Sequence, residues 1–510
     1  MKNGLQTEKN RAINLRLHLL ELFFLSLMSL IVSACIMEDF TVEKFIGAAL
    51  IASVLLFILY KDLRRYKPAY IHSYSMLFLL GLLIVATLVF GRSFGFILQN
   101  LSESLGFISV ETAAYGIPVA AGAMLVTLLF DFHTAIIFSF TISLLTGYWM
   151  HDAFYTIYAF IGSLTGAFSV IRCKKRSALL KGGLYVALAN IFVVISLFIS
   201  RGELFSSETG SAIIFAVFSG LAVLSIVSLL LPLLEYSFKV TTDISLLELL
   251  DLNQPLMKNL MISAPGTYHH SVIVGNLVEA AAEAVGVNPL LARVSSYYHD
   301  IGKAKMPEYF VENQSSSVSK HDKVTPHMSS MIIINHVKEG VELAKQYKLP
   351  HSIIDIIQQH HGTSLITYFY EKAKRQELNH LPSEAEYKYP GPKPQTRVAA
   401  LVMMADAVEA ASRVLTDPTP ARISALVDKI INHIFLDGQL DECELTLKDI
   451  SEVKRRFNYI LTGIFHKRID YPGFDFNDEN ISEEPAKIDY SQPPEDKNGH
   501  RQGTPAVRNS

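Results

Sequence analysis

The sequence predicts an all-α protein: a polytopic helical membrane bundle of about eight spans, followed by an all-α cytosolic domain. Three observations predict it. Charge is unevenly distributed, with 30 of the 93 Asp, Glu, Lys and Arg residues in the first 240 positions and 63 in the last 270. Hydrophobic residues make up 50% of the 510, and mean hydropathy is +0.29, too apolar for an ordinary soluble chain of this size. Histidine is concentrated where charge is, with four of 17 before residue 240 and 13 after it, so titratable and metal-binding chemistry belongs to the polar half.

The elements follow in order. Apolar runs long enough to cross about 30 Å of hydrocarbon fall at 16–36, 44–60, 74–91, 113–130, 133–148, 152–171, 181–200 and 211–234. The first is too long for a signal-peptide core and is followed by no convincing small-residue cleavage site, so it reads as a span. Basic residues cluster at the N-terminus (Lys2, Lys9, Arg11, Arg16), in the second connection (Lys61, Arg64, Arg65, Lys67) and in the sixth (Arg172, Lys174, Lys175, Arg176, Lys181). Eight spans with the N-terminus inside place every cluster on one side, which puts both termini in the cytoplasm of a multi-pass protein of the inner or plasma membrane. A transporter would need ionisable residues deep in the bilayer. Glu21, Asp131 and His133 instead lie near span ends, and Asn190 reads as a helix-packing polar group. The bundle therefore reads as an anchor or sensor.

Residues 1–240 form this bundle and 241–265 a linker. The linker stretch ISLLELLDLNQPLMKNLM is amphipathic and broken at Pro255, and suits a transmitting element and a passive lid equally. Residues 266–470 read as one helical domain. Asn288-Pro289 and Thr325-Pro326 are N-cap plus first-turn proline pairs, Thr446 with Asp449 makes a capping box, and Gly286, Gly302, Gly340 and Gly362 stand where helices are expected to stop. Long polar loops at 311–325 and 378–395 are expected to frame a site. Residues 471–510, rich in Asp, Glu, Asn, Pro and Ser, read as a disordered tail.

The formal net charge of −3 and a pI near 6.6 argue against polymeric nucleic acid as a partner. Three dispersed cysteines without a CxxC argue against a disulfide framework or a thiolate zinc site. His-Asp occurs at His151, His299 and His321, so the dipeptide alone is uninformative. His151 falls in an extracytoplasmic turn and His321 reads as part of a solvated turn, whereas His299-Asp300 closes the helix PLLARVSSYYHDIGK. Around it stand His269-His270, a helix ending NHVKEG with His336, another ending QQHHG with His360-His361, and Asp406 inside RVAALVMMADAVEAASRVL. A single histidine is more simply a core or surface residue. Asp406, flanked by Val402, Met403, Met404 and Val408, is costly to bury without a metal or cation. Five imidazoles and two carboxylates without a thiolate exceed one ion and suit two divalent metal ions, Mn2+ or Fe2+ before Zn2+.

The order His, His-Asp, His, His-His, Asp, with HDIGK, resembles the HD superfamily of metal-dependent phosphohydrolases. Longer strings, among them APGTYHHSVIVGNLVEAAAEAVGVNPLLARVSSYYHDIGK, HVKEGVELAKQYKLP, IIQQHHGT and ADAVEAASRVLTDPTP, are similar to the membrane-bound seven-transmembrane HD proteins that hydrolyse cyclic di-AMP. The resemblance extends from LYKDLRRYKPAYIHSYSMLFLL to about residue 472. It implies that His270, His299, Asp300 and Asp406 hold one metal, and that Asp300 bridges to a second held by His336, His360 and His361. It further implies two-metal hydrolysis of cyclic di-AMP to 5'-pApA by a hydroxide generated between the ions, with Lys303 stabilising charge on the phosphate oxygens. Another dinucleotide such as cyclic di-GMP, or a receptor that binds the nucleotide without turnover, is the alternative; a homodimer stays open. His269 is assigned a supporting or capping place, and Asn313 and Gln314, in the loop after the site, read either as contacts to a base or phosphate or, at least equally, as ordinary loop polars.

Two departures are expected to matter. The family's large extracytoplasmic domain between the first span and the other seven is reduced here to about residues 37–43, which leaves sensing to the bundle. The basic residue usual before the proline after HDIGK is replaced by Met306-Pro307, with Lys305 as the nearest charge, a change that bears on substrate affinity. The GYP motif of cyclic di-GMP-hydrolysing relatives is not found in AKMPEYFVENQ.

Overall fold

The computed structural model describes residues 20–37, 40–105, 109–171, 173, 175–314, 319–376 and 382–465. The start of the first expected span and the expected disordered tail lie outside them. Among the described residues the chain is helical, and its sole β-type pairing is the Leu365–Lys388 bridge.

All eight apolar runs are helices: α1 (Leu20–Ile36), α2 (Val42–Tyr66), α3 (Tyr74–Leu105), α4 (Ala120–Leu129), α5 (Phe132–Met150), α6 (Ala153–Ser169), α7 (Ala178–Arg201) and α8 (Ser207–Phe238). Six stretches are long and apolar enough to cross a membrane: α2, Tyr74–Leu101, Glu111–Leu129, α5, α7 and α8. The described part of α1 and the 17-residue α6 fall short of that length, so about eight spans is an approximate count. Helix α3 runs well past the expected end at 91 because the polar residues that close its apolar window, Gln99, Asn100 and Glu103, are no obstacle to a helix.

The three ionisable groups singled out near span ends are paired. Tyr60 donates to Glu21 at 2.6 Å; Asp131 caps α5 by accepting from the Thr134 N–H and lies 3.3 Å from Lys67; His133 is 2.9 Å from Asp62. Asn190 reaches Ser219 across the α7–α8 contact at 3.5 Å. That contact is close because it is lined by glycine. A Cβ on Gly183 would stand 2.9 Å from the Gly220 carbonyl oxygen, and one on Gly220 2.7 Å from that of Gly183.

Helix α8 leads directly into α9 (Asp243–Leu249) and α10 (Pro255–Ser263), separated at Pro255 as expected. These are no detached tether. Leu246, Leu256, Met257 and Leu260 are buried in one cluster with Tyr298, Ile301, Ile353 and Ile357 of the domain that follows. Arg176, in the connection between α6 and α7, makes a forked pair with Glu248 at 2.7 and 3.2 Å and lies 3.6 Å from Glu235 near the end of α8.

The C-terminal half comprises α11 (Pro265–Val285), α12 (Pro289–Tyr298), α13 (Pro326–Gln346), α14 (His351–Gln359), α15 (Thr367–Gln376), α16 (Arg397–Ser412), α17 (Pro420–Leu436) and α18 (Leu447–Ile464). Asn288 caps α12, Thr325 caps α13, and Thr446 and Asp449 bond reciprocally at the start of α18. Gly286 closes α11 in the left-handed region at φ +71°. One expected stop is wrong: Gly340 lies inside α13, which continues to Gln346. Its absent side chain serves packing, because the 3-10 turn Ile301–Lys305 crosses α13 there. A Cβ on Gly302 would stand 1.9 Å from the His336 carbonyl oxygen and 2.5 Å from the Gly340 nitrogen.

Candidate metal centre

That crossing brings the histidines together. His299 caps the C-terminus of α12 and Asp300 follows it into the turn Ile301–Lys305, so the pair projects from a helix end against α13, which carries His336. Helix α11 supplies His270, the end of α14 supplies His360 and His361, and α16 supplies Asp406 from its buried middle.

Seven of the expected site residues form two groups that share Asp300. Ligand atoms of His270, His299, Asp300 and Asp406 lie within 4.8 Å of one another, as do those of Asp300, His336, His360 and His361. Asp300 Oδ2 is 3.2 Å from His299 Nε2 and 3.6 Å from His270 Nε2, while its Oδ1 is 3.3 Å from His336 Nε2 and 3.6 Å from His360 Nε2. Asp406 Oδ1 is 3.0 Å from His270 Nε2, and its Oδ2 is 3.7 Å from His361 Nδ1.

The ring orientations have a common cause. His299, His336 and His360 each direct Nδ1 to the backbone carbonyl three residues earlier, at 2.7, 2.5 and 2.7 Å (Ser296, Ile333, Ile357). With Nδ1 donating, the Nε2 lone pair faces the centre. His270 Nδ1 meets the buried carboxylate of Glu409 at 2.5 Å, and Arg413 holds that carboxylate from outside at 2.6 Å. His361 differs, presenting Nδ1 inward with its ring stacked on Tyr389 at 4.3 Å.

The electrostatics suit cation binding. Burial alone would raise the Asp300 carboxyl, yet His299 and Lys303 hold it well below the usual carboxylate range. Asp406 is held well below it too, because hydrogen bonds from His270 and His299 outweigh burial. Burial and neighbouring imidazoles keep His361 well below its ordinary value. His299 goes the other way: burial opposes its charge, but Asp300 and Asp406 push it up to about 10. The buried atoms His270 Nε2, His299 Nε2 and both Asp300 oxygens converge without a well-aligned hydrogen bond and are met only by ion-pair neighbours, Asp406 at 3.0 Å from His270 and Lys303 at 2.6 Å from Asp300. Buried imidazole and carboxylate atoms converging in this way fit divalent metal ions, which would complete their partners.

Lys303 lies within the site, with Nζ 2.6 Å from Asp300 Oδ2 and 3.0 Å from Glu312. Glu312 also accepts from the Thr267 hydroxyl at 3.0 Å. Asn313 and Gln314 are occupied otherwise. Asn313 bonds both the N–H and the hydroxyl of Thr267, and Gln314 donates to the Glu308 carbonyl, so both fix the loop. His269 is exposed beside Tyr268, away from the ligands. His321 is no solvated turn residue: it is buried, with Nε2 2.8 Å from the Tyr309 carbonyl and its ring on Phe369.

Sequence reasoning missed Glu409, Glu312, Thr267 and Tyr389. Glu409 had a signal, an acid three residues beyond Asp406 on the same apolar helix. Tyr389 sits in one of the two loops expected to frame the site. Glu312 sits in the other, and Thr267 had no signal, since only the folded loop brings it to Glu312 beside Lys303.

The chain is similar to known proteins in both halves. The family described as 7TM receptor with intracellular HD hydrolase matches residues 42–242, and the HD domain matches residues 267–411. The cyclic-di-AMP phosphodiesterase PgpH of Bacillus subtilis (strain 168) is 43% identical over 367 residues, 70% of this chain and 51% of PgpH. The protein of that name from Listeria monocytogenes is 42% identical over 371 residues, 71% of this chain and 51% of its own length. The chain thus spans about half the length of the curated relatives it matches. The crystal structure of the L. monocytogenes PgpH HD domain in complex with cyclic di-AMP is 49% identical, covers 43% of this chain and 100% of its own, and superposes with a TM-score of 0.41. Helices α1 and α2 are joined by only residues 37–41, the position at which the sequence lacks the family's large domain.

Proposed function

Because the chain belongs to the family of seven-transmembrane receptors with an intracellular HD hydrolase domain, we propose that it is a membrane-anchored, metal-dependent phosphodiesterase that cleaves cyclic di-AMP to 5'-pApA. The observation that carries the reading is Asp300, one buried carboxylate belonging to two four-residue ligand groups at once. The choice of substrate is supported by the two relatives named as cyclic-di-AMP phosphodiesterases.

His270, His299, Asp300 and Asp406 would hold one ion, and Asp300, His336, His360 and His361 the other, with Mn2+ or Fe2+ favoured by imidazole-rich, thiolate-free ligation. Such a pair supplies Lewis-acid activation of water and of the phosphate when bound. The chain's own residues do the rest. Asp300 fixes the spacing of the two groups. Backbone carbonyls and Glu409 lock the imidazoles, so that substrate meets a preorganised site. Lys303 sets a fixed positive charge on the wall, available to non-bridging phosphate oxygens. Tyr389 backs His361 on the half-exposed side, where His361 is 23% accessible against 0–5% for His270, His299, His336 and His360; substrate enters there.

The same reading places the catalytic half and both termini in the cytoplasm of a plasma-membrane protein. Lys61, Arg64, Arg65, Lys67, Lys175 and Arg176 stand at the bundle end that carries the domain, as positive-inside bias requires. The test is turnover by the full chain in nanodiscs loaded with Mn2+ or Fe2+, comparing cyclic di-AMP, cyclic di-GMP and pApA. Preferential conversion of cyclic di-AMP to pApA is expected. Absence of turnover with metal bound would sink the enzyme reading, and preference for cyclic di-GMP the substrate assignment.

A further inference from the structure

The bundle end opposite the catalytic domain holds a cavity of about 620 Å³, within the size class of small-molecule sites. It is enclosed by the far part of α3, the short helix Val110–Ala113, the α5–α6 turn, the end of α7 and the start of α8. Its inner wall is aromatic. Tyr115, Trp149 and Tyr155 are only 4%, 6% and 3% exposed, so they face inward and are not lipid-facing anchors of the interfacial belt.

The charges at this cavity do not cancel. Arg201 is paired with Asp152 at 3.2 Å and covers Phe154. Arg92 donates to the carbonyls of Cys35 and Met37, tying the end of α1 to α3. Arg201 is thus paired and Arg92 is held by backbone carbonyls with its charge unneutralised, whereas Glu111 and Glu208 line the exposed mouth with carboxylates that no hydrogen bond or ion pair engages among the described residues, so that three carboxylates face two arginines. Each stands in the first turn of its helix, where a carboxylate is tolerated without a partner, and both line the same opening. An aromatic wall beneath unpaired carboxylates, with one negative charge in excess over the two arginines, matches an organic ammonium group held among aromatic rings and acidic side chains.

We infer that this cavity is a binding site for an organic ammonium group, carried either by a small water-soluble amine or by a lipid headgroup, with Glu111 and Glu208 as its counter-charges. The site goes beyond the phosphodiesterase reading and stands without it. Glu208 stands in the first turn of the 32-residue helix α8, about 48 Å long at 1.5 Å per residue, whose other end carries Glu235 beside Arg176.

Trp149 is the single tryptophan of the chain, so in nanodiscs built with a tryptophan-free scaffold protein the emission reports on the cavity alone. The full chain in phosphatidylglycerol nanodiscs is titrated with choline, tetramethylammonium and putrescine, beside 3,3-dimethylbutan-1-ol, the uncharged isostere of choline, and acetate. A parallel set of nanodiscs contains phosphatidylethanolamine. A saturable emission change with a soluble cation assigns a free amine; a change produced only by phosphatidylethanolamine assigns a headgroup. In either case Glu111→Gln and Glu208→Gln together weaken the response about tenfold or more, while Trp149→Phe abolishes the signal. Circular dichroism and a thermal midpoint check that the variants fold. No saturable response to any cation or to phosphatidylethanolamine overturns the inference, as does equal binding of the uncharged isostere or an unchanged affinity in the folded double variant.

Discussion

Glu409 offers a sharp test of how the metal centre is held. Its carboxylate is 2% exposed, with one oxygen 2.5 Å from His270 Nδ1 and the other 2.6 Å from Arg413. Glu409→Gln keeps the shape and an acceptor toward His270 but removes the charge. A hydrogen bond to a charged group contributes about 1.5–3 kcal/mol and a neutral one about 0.5–1.5, so the change costs His270 about 1–1.5 kcal/mol of support. That is about 5- to 13-fold in metal affinity. Glu409→Ala removes the partner altogether and should cost about 10- to 100-fold. Arg413, 39% exposed, can turn to solvent, so neither variant is expected to unfold the chain. Mn2+ titration followed by calorimetry and by paramagnetic resonance resolves two sites. The loss should fall on the group containing His270, His299, Asp300 and Asp406, and excess Mn2+ should restore turnover. Equal losses at both sites, or no loss in the alanine variant, would refute the claim that Glu409 acts through His270.

Asp300→Asn should leave less than one tightly bound ion per chain by elemental analysis and abolish turnover, because both groups share that carboxylate. Gly302→Ala forces a methyl against the His336 carbonyl, where backbone cannot yield; a destabilisation of about 1–3 kcal/mol or more should appear as a lower thermal midpoint, together with weakened metal binding. Removing metal with a chelator should lower the midpoint and Mn2+ restore it, since an ion at 100 times its dissociation constant stabilises the folded state by about 2.7 kcal/mol. Thr446→Ala removes the cap of α18 at about 1 kcal/mol. The Thr446 N–H and, second, its hydroxyl hold the Asp449 carboxyl below its ordinary value; the variant removes only the hydroxyl's share, which is present above the usual carboxylate range and lost as pH falls through the lowered one. The stability gap between wild type and Thr446→Ala should narrow in acid, as read by denaturation at a series of pH values.

The parts of the centre legible in the sequence were those written in local pattern. Asp406 stood out because a carboxylate among Val402, Met403, Met404 and Val408 needs a partner; His299-Asp300 stood out because it ended a helix. The caps at Asn288, Thr325 and Thr446 were legible for the same reason, each acting within four residues of itself. What stayed hidden depends on chain crossings. Gly340 looks like a helix stop until Gly302 is seen packed against it, and His321 looks solvated until Phe369 and the Tyr309 carbonyl are found beside it. Glu312 meets Lys303 only through a folded loop.

The junction between bundle and domain shows why amphipathicity alone could not decide its role. A stripe of Leu246, Leu256, Met257 and Leu260 states that one face must be covered, but not by what. In the folded chain that face is part of the C-terminal helical domain's own core, and Tyr298, the last residue of α12, donates to the Leu249 carbonyl at 2.9 Å. The next residue is His299. On the other side, Arg176 joins the end of α8 to α9 through Glu235 and Glu248. Exposed ion pairs of this kind add little stability, but a forked pair fixes direction. Between the last turn of α8 and the first imidazole of the metal centre there is therefore no slack chain, only packed side chains and directional hydrogen bonds. A contiguous arrangement of that kind is what a bundle displacement needs to reach the site, and a lid lying on the domain surface would not provide it.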